Sequence, residues 1–226
     1  MEEYVRVPRT LEEKQKGQRI VVLLEKACLE TVKLKESHQL LNCDDHQSYL
    51  AKNKRDIADI RPDIVHQCLM TLLDSPLNRE GMLLIYVHTA SNVLIEVSPQ
   101  LRIPRTFKRF AGLMVELLMK SKIKATDGSA TLMRIISNPV TKYLPPGGSK
   151  VGLSVDGKLV KLRDWMPKHV NKEIPTTFVI GAVARGDPAK ELDYVEDKIS
   201  ISNYGLSASV CCSKVCNEVE NLWNIF

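Results

Sequence analysis

Two glycine-containing loops leave the ends of apolar, β-branched runs. Thr176–Ile180 reads as a buried strand that continues into Gly181-Ala-Val-Ala-Arg-Gly186. Lys198–Ser202 reads as another, with Ile201-Ser-Asn-Tyr-Gly-Leu206 at its end. In open α/β sheets, ligands sit beyond the carboxyl ends of strands. Glycines there let a ligand touch backbone N–H and C=O groups, which can read an adenine edge without charged side chains. The same glycines would serve equally well in tight turns, and the residues alone leave both readings open.

A second set of residues is basic. From Arg102 to Lys124 there are seven bases against one acid, Glu116, while Asp187 to Phe226 carries seven acids against three bases. The whole chain has a net charge of only +5. A concentrated basic stripe points to a polyanion partner, and a solvated helix face is the plain alternative. Pro104–Lys120 predicts a helix with Phe107, Phe110, Met114, Leu117 and Leu118 on one side at about 100° per residue. Arg105 and Arg109 fall on the other side, joined by Arg102 if the turn extends back. Spacings of three and four suit a row of phosphates. Arg61-Pro62-Asp63, by itself, reads as an ion pair at a helix start.

Several chemistries are excluded. Gly181 and Gly186 have the spacing of a P-loop, but Asp187-Pro188 follows where Lys-Ser/Thr is needed. No G-x-G-x-x-G follows a strand, which disfavours a Rossmann site, and no G-x-S-x-G elbow is present. The five histidines lack zinc spacing, and Asp44-Asp45-His46 reads as turn chemistry. No metal site is expected. Six cysteines, with no Cys-x-x-Cys pair, read as reduced thiols of a cytosolic or nuclear protein.

The elements that must position these residues alternate in type, which predicts an α/β fold with a largely parallel sheet. Residues 1–18 read as a flexible polar tail without the apolar stretch of a secretory signal, and 19–226 as a single domain. Arg19–Leu24 is a buried strand. Asp44 or Asp45 would cap a short helix through Lys52, and a helix covers Ile64–Leu73. Leu83–His88 and Val93–Val97 form a hairpin. Leu132–Ser137 reads as a short helix, Val151–Val155 as a strand, Asp156-Gly157 as a turn, and Ser207–Trp223 as a helix capped by Ser207. At 226 residues and 44% hydrophobic composition the chain can bury a real core, and its apolar runs are far too short to span a bilayer.

Six stretches together carry a resemblance: Leu41-Asn-Cys-Asp-Asp-His-Gln47, Arg61-Pro-Asp63 with His66-Gln67, Leu72-Leu-Asp-Ser-Pro76, Ile103-Pro-Arg-Thr-Phe-Lys-Arg-Phe110, Gly181-Ala-Val-Ala-Arg-Gly186 and Ser202-Asn-Tyr-Gly-Leu-Ser-Ala-Ser209. In this order they resemble the eukaryotic and archaeal small-subunit rRNA pseudouridine N1-methyltransferases of the SPOUT superfamily. The resemblance implies a mostly parallel sheet flanked by helices, a small β-hairpin and helix insertion, and a C-terminal deep trefoil knot within about 150–226. It implies S-adenosylmethionine at Leu153, Gly181, Gly186 and Ile201, Ser202, Asn203, Tyr204, Gly205 and Leu206, with S-adenosylhomocysteine as product.

It further implies RNA contact by Arg61, Arg102, Arg105 and Arg109. Arg61 and Asp63 would be the catalytic pair, Arg61 stabilising charge on the base and Asp63 orienting it. A homodimer, a hairpin loop of small-subunit rRNA as target, other assembly proteins as partners, and the nucleolus as location (possibly with the cytoplasm) complete the expectation. An RNA-binding assembly factor with dispensable or lost methyl transfer is the alternative. Two positions depart from the family pattern: Gly205, where many relatives have Pro, and Val183, where many have Met. Gly205 is expected to loosen the cofactor loop.

Overall fold

The computed structural model describes residues 7–34 and 36–226. The apolar β-branched runs become the centre of one eight-stranded sheet. In chain order its strands are β1 (Ile20–Ala27), β4 (Leu83–Thr89), β5 (Leu94–Val97), β6 (Lys122–Lys124), β7 (Thr131–Ile136), β8 (Lys150–Leu159), β9 (Thr176–Gly181) and β10 (Asp197–Ser200). Their spatial order is β10-β8-β9-β1-β4-β5-β7-β6. The five from β10 to β4 run parallel, and the edge from β4 through β5 and β7 to β6 is antiparallel. β8 lies between β9 and β10, so the chain leaving β9 must cross β8 before it pairs again.

Among the described residues, seven α-helices accompany the sheet: α1 (Leu11–Lys14), α2 (Gln47–Lys52), α3 (Pro62–Asp74), α4 (Pro76–Arg79), α5 (Phe107–Lys120), α6 (Leu162–His169) and α7 (Ala208–Trp223). Ile20, Val22 and Leu24 of β1 share one buried cluster with Val65, Leu69 and Leu72 of α3 and with Cys212, Val215 and Val219 of α7. The alternate residues Val21 and Leu23 face the opposite layer, built from Tyr86, Val140, Leu144 and Val179. This two-sided burial explains the continuous apolar run of β1, which lacks the alternation of a half-exposed strand. An antiparallel hairpin, β2 (Thr31–Leu34) with β3 (Ser37–Leu40), stands apart from the main sheet. Cys28, Val32, Leu41, Leu50 and Ile60 form the small core beneath it.

Four readings of the sequence are corrected. The segment Leu132–Ser137 is not a helix: Thr131–Ile136 is β7, held between β5 and β6 by long-range pairing that local periodicity does not reveal. Asp156-Gly157 is not a turn but lies inside β8. A Cβ on Gly157 would sit 2.7 Å from the Ile199 backbone, so glycine is there for close approach of β10. Neither Asp44 nor Asp45 caps α2, whose N-cap is His46. Asn42 organises that turn instead, its Oδ1 accepting from the amides of Asp44 (3.0 Å) and Asp45 (2.8 Å).

The described part of the segment read as a flexible tail is anchored, while residues 1–6 lie outside the described residues. Thr10 and Glu13 form a capping box at α1. The Gln15 amide donates to the carbonyls of Lys142 and Leu144, both at 3.1 Å. Lys14 pairs with Glu96, which also accepts from Arg134 at 2.5 Å.

Candidate active site

The two loops meet. Beyond the ends of β8, β9 and β10 lies a cavity of about 410 Å3, within the usual range of small-molecule sites (about 300–1,000 Å3). Of the residues expected at a cofactor, Leu153, Gly181, Gly186, Ile201, Ser202, Tyr204 and Leu206 line it. Asn203 and Gly205 belong to the same loop but are not on its wall.

Backbone geometry explains the glycines that matter. A Cβ on Gly181 would come within 2.7 Å of the Pro188 ring, so the segment can fold back only over a glycine. Gly186 has φ +87°, a conformation costly for any other residue. Gly205 has neither a positive φ nor a neighbour within 4 Å of a built Cβ. Nothing local requires glycine there.

The cavity also takes in residues far away in sequence. The N-terminal end of α3 contributes Arg61, Ile64 and Gln67, and the start of α7 contributes Ser207 to Ser209 and Cys211. Arg61 precedes α3 as its N-cap residue, with Pro62 at N1. Its Nε and Nη2 donate to the two oxygens of Asp63 at 2.8 and 2.7 Å. This bidentate fork fixes the plane of the guanidinium. Asp63 itself is not on the cavity wall. Its part is to hold Arg61, which is.

Sequence reasoning did not single out Ile64, Gln67, Ser154, Asp187 or Cys211 as wall residues. Ser154 directly follows Leu153, and Asp187 follows Gly186. Adjacency to a predicted ligand contact was the available signal. Ser154 Oγ donates to the Asp187 carboxylate, tying β8 to the loop after β9. Burial pushes the Cys211 thiol up to about 11, so it meets the cavity as a neutral group.

The basic lead-in to α5 is separate from this cavity. Arg102, Arg105, Lys108 and Arg109 are all exposed. The helix begins at Phe107 with Thr106 as N-cap, so Arg102 and Arg105 precede it and only Arg109 lies on its face. The apolar stripe is as expected, with Phe110, Met114 and Leu117 fully buried. Arg105 forms a fork with Asp74, one arm at 3.0 Å. His66, from the quoted stretches, is buried and structural: its ring stacks on Phe110 at 4.5 Å and Nε2 donates to the Pro104 carbonyl at 2.6 Å. It thereby ties α3 to the basic segment.

The wall suits a nucleoside. Ile180, Leu153, Ile199 and Leu206 supply apolar surface, and the glycine loops supply open backbone. Residues 22–220 match the sequence pattern of the family described as EMG1/NEP1 methyltransferase. The chain belongs to this family. It is 50% identical over 212 residues to the ribosomal RNA small subunit methyltransferase NEP1 of Drosophila melanogaster, covering 92% of this chain and 83% of that protein. It is also 50% identical to the protein of that name from Homo sapiens, over 92% of this chain and 84% of the other. The solved structure of Archaeoglobus fulgidus Nep1 bound to S-adenosylhomocysteine superposes with a TM-score of 0.74 at 26% identity, over 92% of this chain and 99% of that one. Among the described residues no helix is long and apolar enough to cross a membrane, and no cluster of side chains could hold a metal ion.

Proposed function

We propose that this member of the EMG1/NEP1 family transfers a methyl group from S-adenosylmethionine to N1 of a pseudouridine in a hairpin loop of small-subunit rRNA. The single observation that carries this reading is that Arg61, locked by Asp63, lines the same cavity as the two glycine loops. S-adenosylmethionine, when bound, supplies a methyl group on a positively charged sulfur. Gly181, Gly186 and the 201–206 loop would hold it by backbone contacts. Arg61 would face the base and stabilise the negative charge that grows as its N1 proton is lost. Asp63 keeps the guanidinium oriented. Exposed arginines 102, 105 and 109 would take the phosphates, and a base splayed from a loop is the usual object of specific RNA recognition.

The proposal extends to a homodimer, to other small-subunit assembly proteins as partners, to the trefoil knot in the C-terminal part, and to the nucleolus as the place of work. The β9 to β10 crossing of β8 is the connection such a knot would use. Transfer of labelled methyl to a pseudouridine hairpin but not to its uridine counterpart tests the reaction, cofactor and target base together. A specific feature keeps the assembly-factor reading alive: Arg102, Arg105 and Arg109 all lie outside the cavity lining, so RNA can be held without transfer. Tight RNA binding with no transfer to either hairpin would decide for that reading.

A further inference from the structure

The charged groups on the wall of the cavity are not all partnered alike. Arg61 is paired with Asp63, and Arg185 with Asp56 at 3.4 Å; both of those acids lie off the wall. Among the described residues Asp187 is the only carboxylate on the wall itself, and no cation forms an ion pair with it. Lys190, which feels the Asp187 charge, forms its ion pair with Asp156 instead.

Asp187 is nevertheless held in place. Gly186, at φ +87°, turns the chain immediately before it. The Asp156 amide donates to Ser154 Oγ at 3.2 Å, and the Ser154 hydroxyl in turn donates to Asp187 Oδ2. Ser154 is 7% exposed and lies in β8 next to Leu153, another wall residue. The other carboxylate oxygen, Oδ1, has no hydrogen-bond partner among the described residues. A half-buried carboxylate loses part of its hydration, and a cationic donor restores what it loses. An oriented carboxylate with one oxygen open is therefore an acceptor for a positively charged N–H group of the ligand.

We propose that Asp187 receives the α-ammonium group at the amino-acid end of S-adenosylmethionine, with Ser154 as its positioning residue. The inference rests on the methyl-transfer reading and adds a recognition contact to it. S-adenosylmethionine has two cationic groups, the sulfonium and the α-ammonium. Only the ammonium has N–H groups to donate to Oδ1. Only the ammonium keeps its charge when the methyl group leaves. A carboxylate against the sulfonium would stabilise a charge that transfer removes, and would favour bound substrate over the transition state. A carboxylate against the ammonium contributes affinity at no such cost to the reaction.

The test is calorimetric titration of the full chain with three probes. They are S-adenosylmethionine, S-adenosylhomocysteine and 5′-methylthioadenosine, which keeps the nucleoside and lacks the amino-acid end. Asp187→Asn keeps the shape and an acceptor for Ser154 and removes the charge. It should weaken both S-adenosyl compounds about tenfold or more and leave methylthioadenosine unchanged. Ser154→Ala should weaken them several-fold by itself and add nothing to Asp187→Asn, because it acts through that carboxylate. A loss confined to S-adenosylmethionine would put Asp187 at the sulfonium and overturn the proposal. Unchanged affinities together with slowed single-turnover transfer would make Asp187 an acceptor of the N1 proton, which overturns it equally. A matching loss for methylthioadenosine would reduce Asp187 to shaping the loop. A wild-type chain that binds none of the three probes would sink the methyl-transfer reading itself, whereas normal binding retained in Asp187→Asn would sink only the ammonium contact.

Discussion

The Arg61 guanidinium and the Asp63 carboxylate share two parallel hydrogen bonds, 2.8 and 2.7 Å long, across the first turn of α3. Both side chains are about one-third exposed, so the pair contributes under about 1 kcal/mol to folding. Its value lies in orientation. Arg61→Ala should lower kcat for methyl transfer by about 100- to 1,000-fold, the range seen when a positioned charge-stabilising donor is removed. Arg61→Lys should not restore it, because a lysine cannot form the fork. Single-turnover transfer alongside thermal denaturation checks both halves. A large fall in Tm with residual activity intact would assign the pair to structure.

The glycines of the two loops proposed to hold the cofactor separate into two kinds. Gly181→Ala forces a Cβ to within 2.7 Å of the Pro188 ring, and Gly186→Ala must hold φ near +87°. Each should weaken S-adenosylhomocysteine binding by roughly tenfold or more, since strained backbone conformations cost about 1–3 kcal/mol. Gly205→Ala meets open space and an ordinary φ. Its affinity should equal or exceed that of the wild type, because alanine lowers the entropy of the free loop. Calorimetric titration of the three variants gives the order directly. Equal losses at all three positions would refute the steric argument.

What could be read in the sequence follows from how local each signal is. The stripe Phe110, Met114 and Leu117 and the Ser207 cap of α7 are local patterns, and the structure has them where the spacing places them. Leu132-Met-Arg-Ile-Ile136 carries no local strand signal and becomes β7 only through its partners β5 and β6. The glycine loops suggested a ligand, but the residues by themselves also allowed simple turns. The arrival of Arg61 at the same cavity depends on the packing of α3 against α7, about 140 residues apart, and no spacing rule expresses that. The anchoring of residues 10–17 likewise depends on remote acceptors such as the Leu144 carbonyl.

Arginines 102, 105 and 109 should bind RNA mainly through phosphates. Arg105 is already engaged by Asp74, and an RNA phosphate must compete with that carboxylate. Arg105→Ala and Arg109→Ala together should reduce the slope of log affinity against log salt by about two units. Asp74→Ala should tighten binding modestly by releasing Arg105. Hairpin binding measured at several salt concentrations gives both slopes. An unchanged slope in the double variant would remove these residues from the RNA interface.

His88 gives the fold a pH dependence. Its hydrogen bond to buried Glu25 raises its pKa above the ordinary 6.5 despite partial burial. A histidine raised in the folded state stabilises fully below the unfolded value, and that contribution disappears as pH climbs through the higher folded value. Urea midpoints should therefore fall as pH rises above about 6.5, through this contact. His88→Gln keeps a hydrogen-bond donor without a titrating proton and should flatten the profile there. A wild-type slope retained in His88→Gln would place the effect elsewhere.

Two exposed apolar groups, Val155 and Tyr204, lie on the wall of the cavity, and Leu159 and Val210 are exposed on β8 and α7. Tyr204 is 80% exposed, Val155 63%, Leu159 53% and Val210 42%. They come from the outer part of β8, the 201–206 loop and the start of α7, elements that gather at one end of the sheet. Exposed apolar groups suit an interface, and the proposed homodimer would cover them. A C2 contact places each residue against its counterpart's neighbourhood, so one charge is felt twice. Leu159→Asp or Val155→Asp should then shift the protein toward monomer. Both positions are already solvated in a single chain, so the fold should tolerate either change. Sedimentation equilibrium reads the association, and circular dichroism confirms that the protomer is intact. Because Tyr204 lies on the cavity wall, dimer loss should also weaken S-adenosylhomocysteine binding. A dimer that survives both substitutions would mean that the two copies meet through another face.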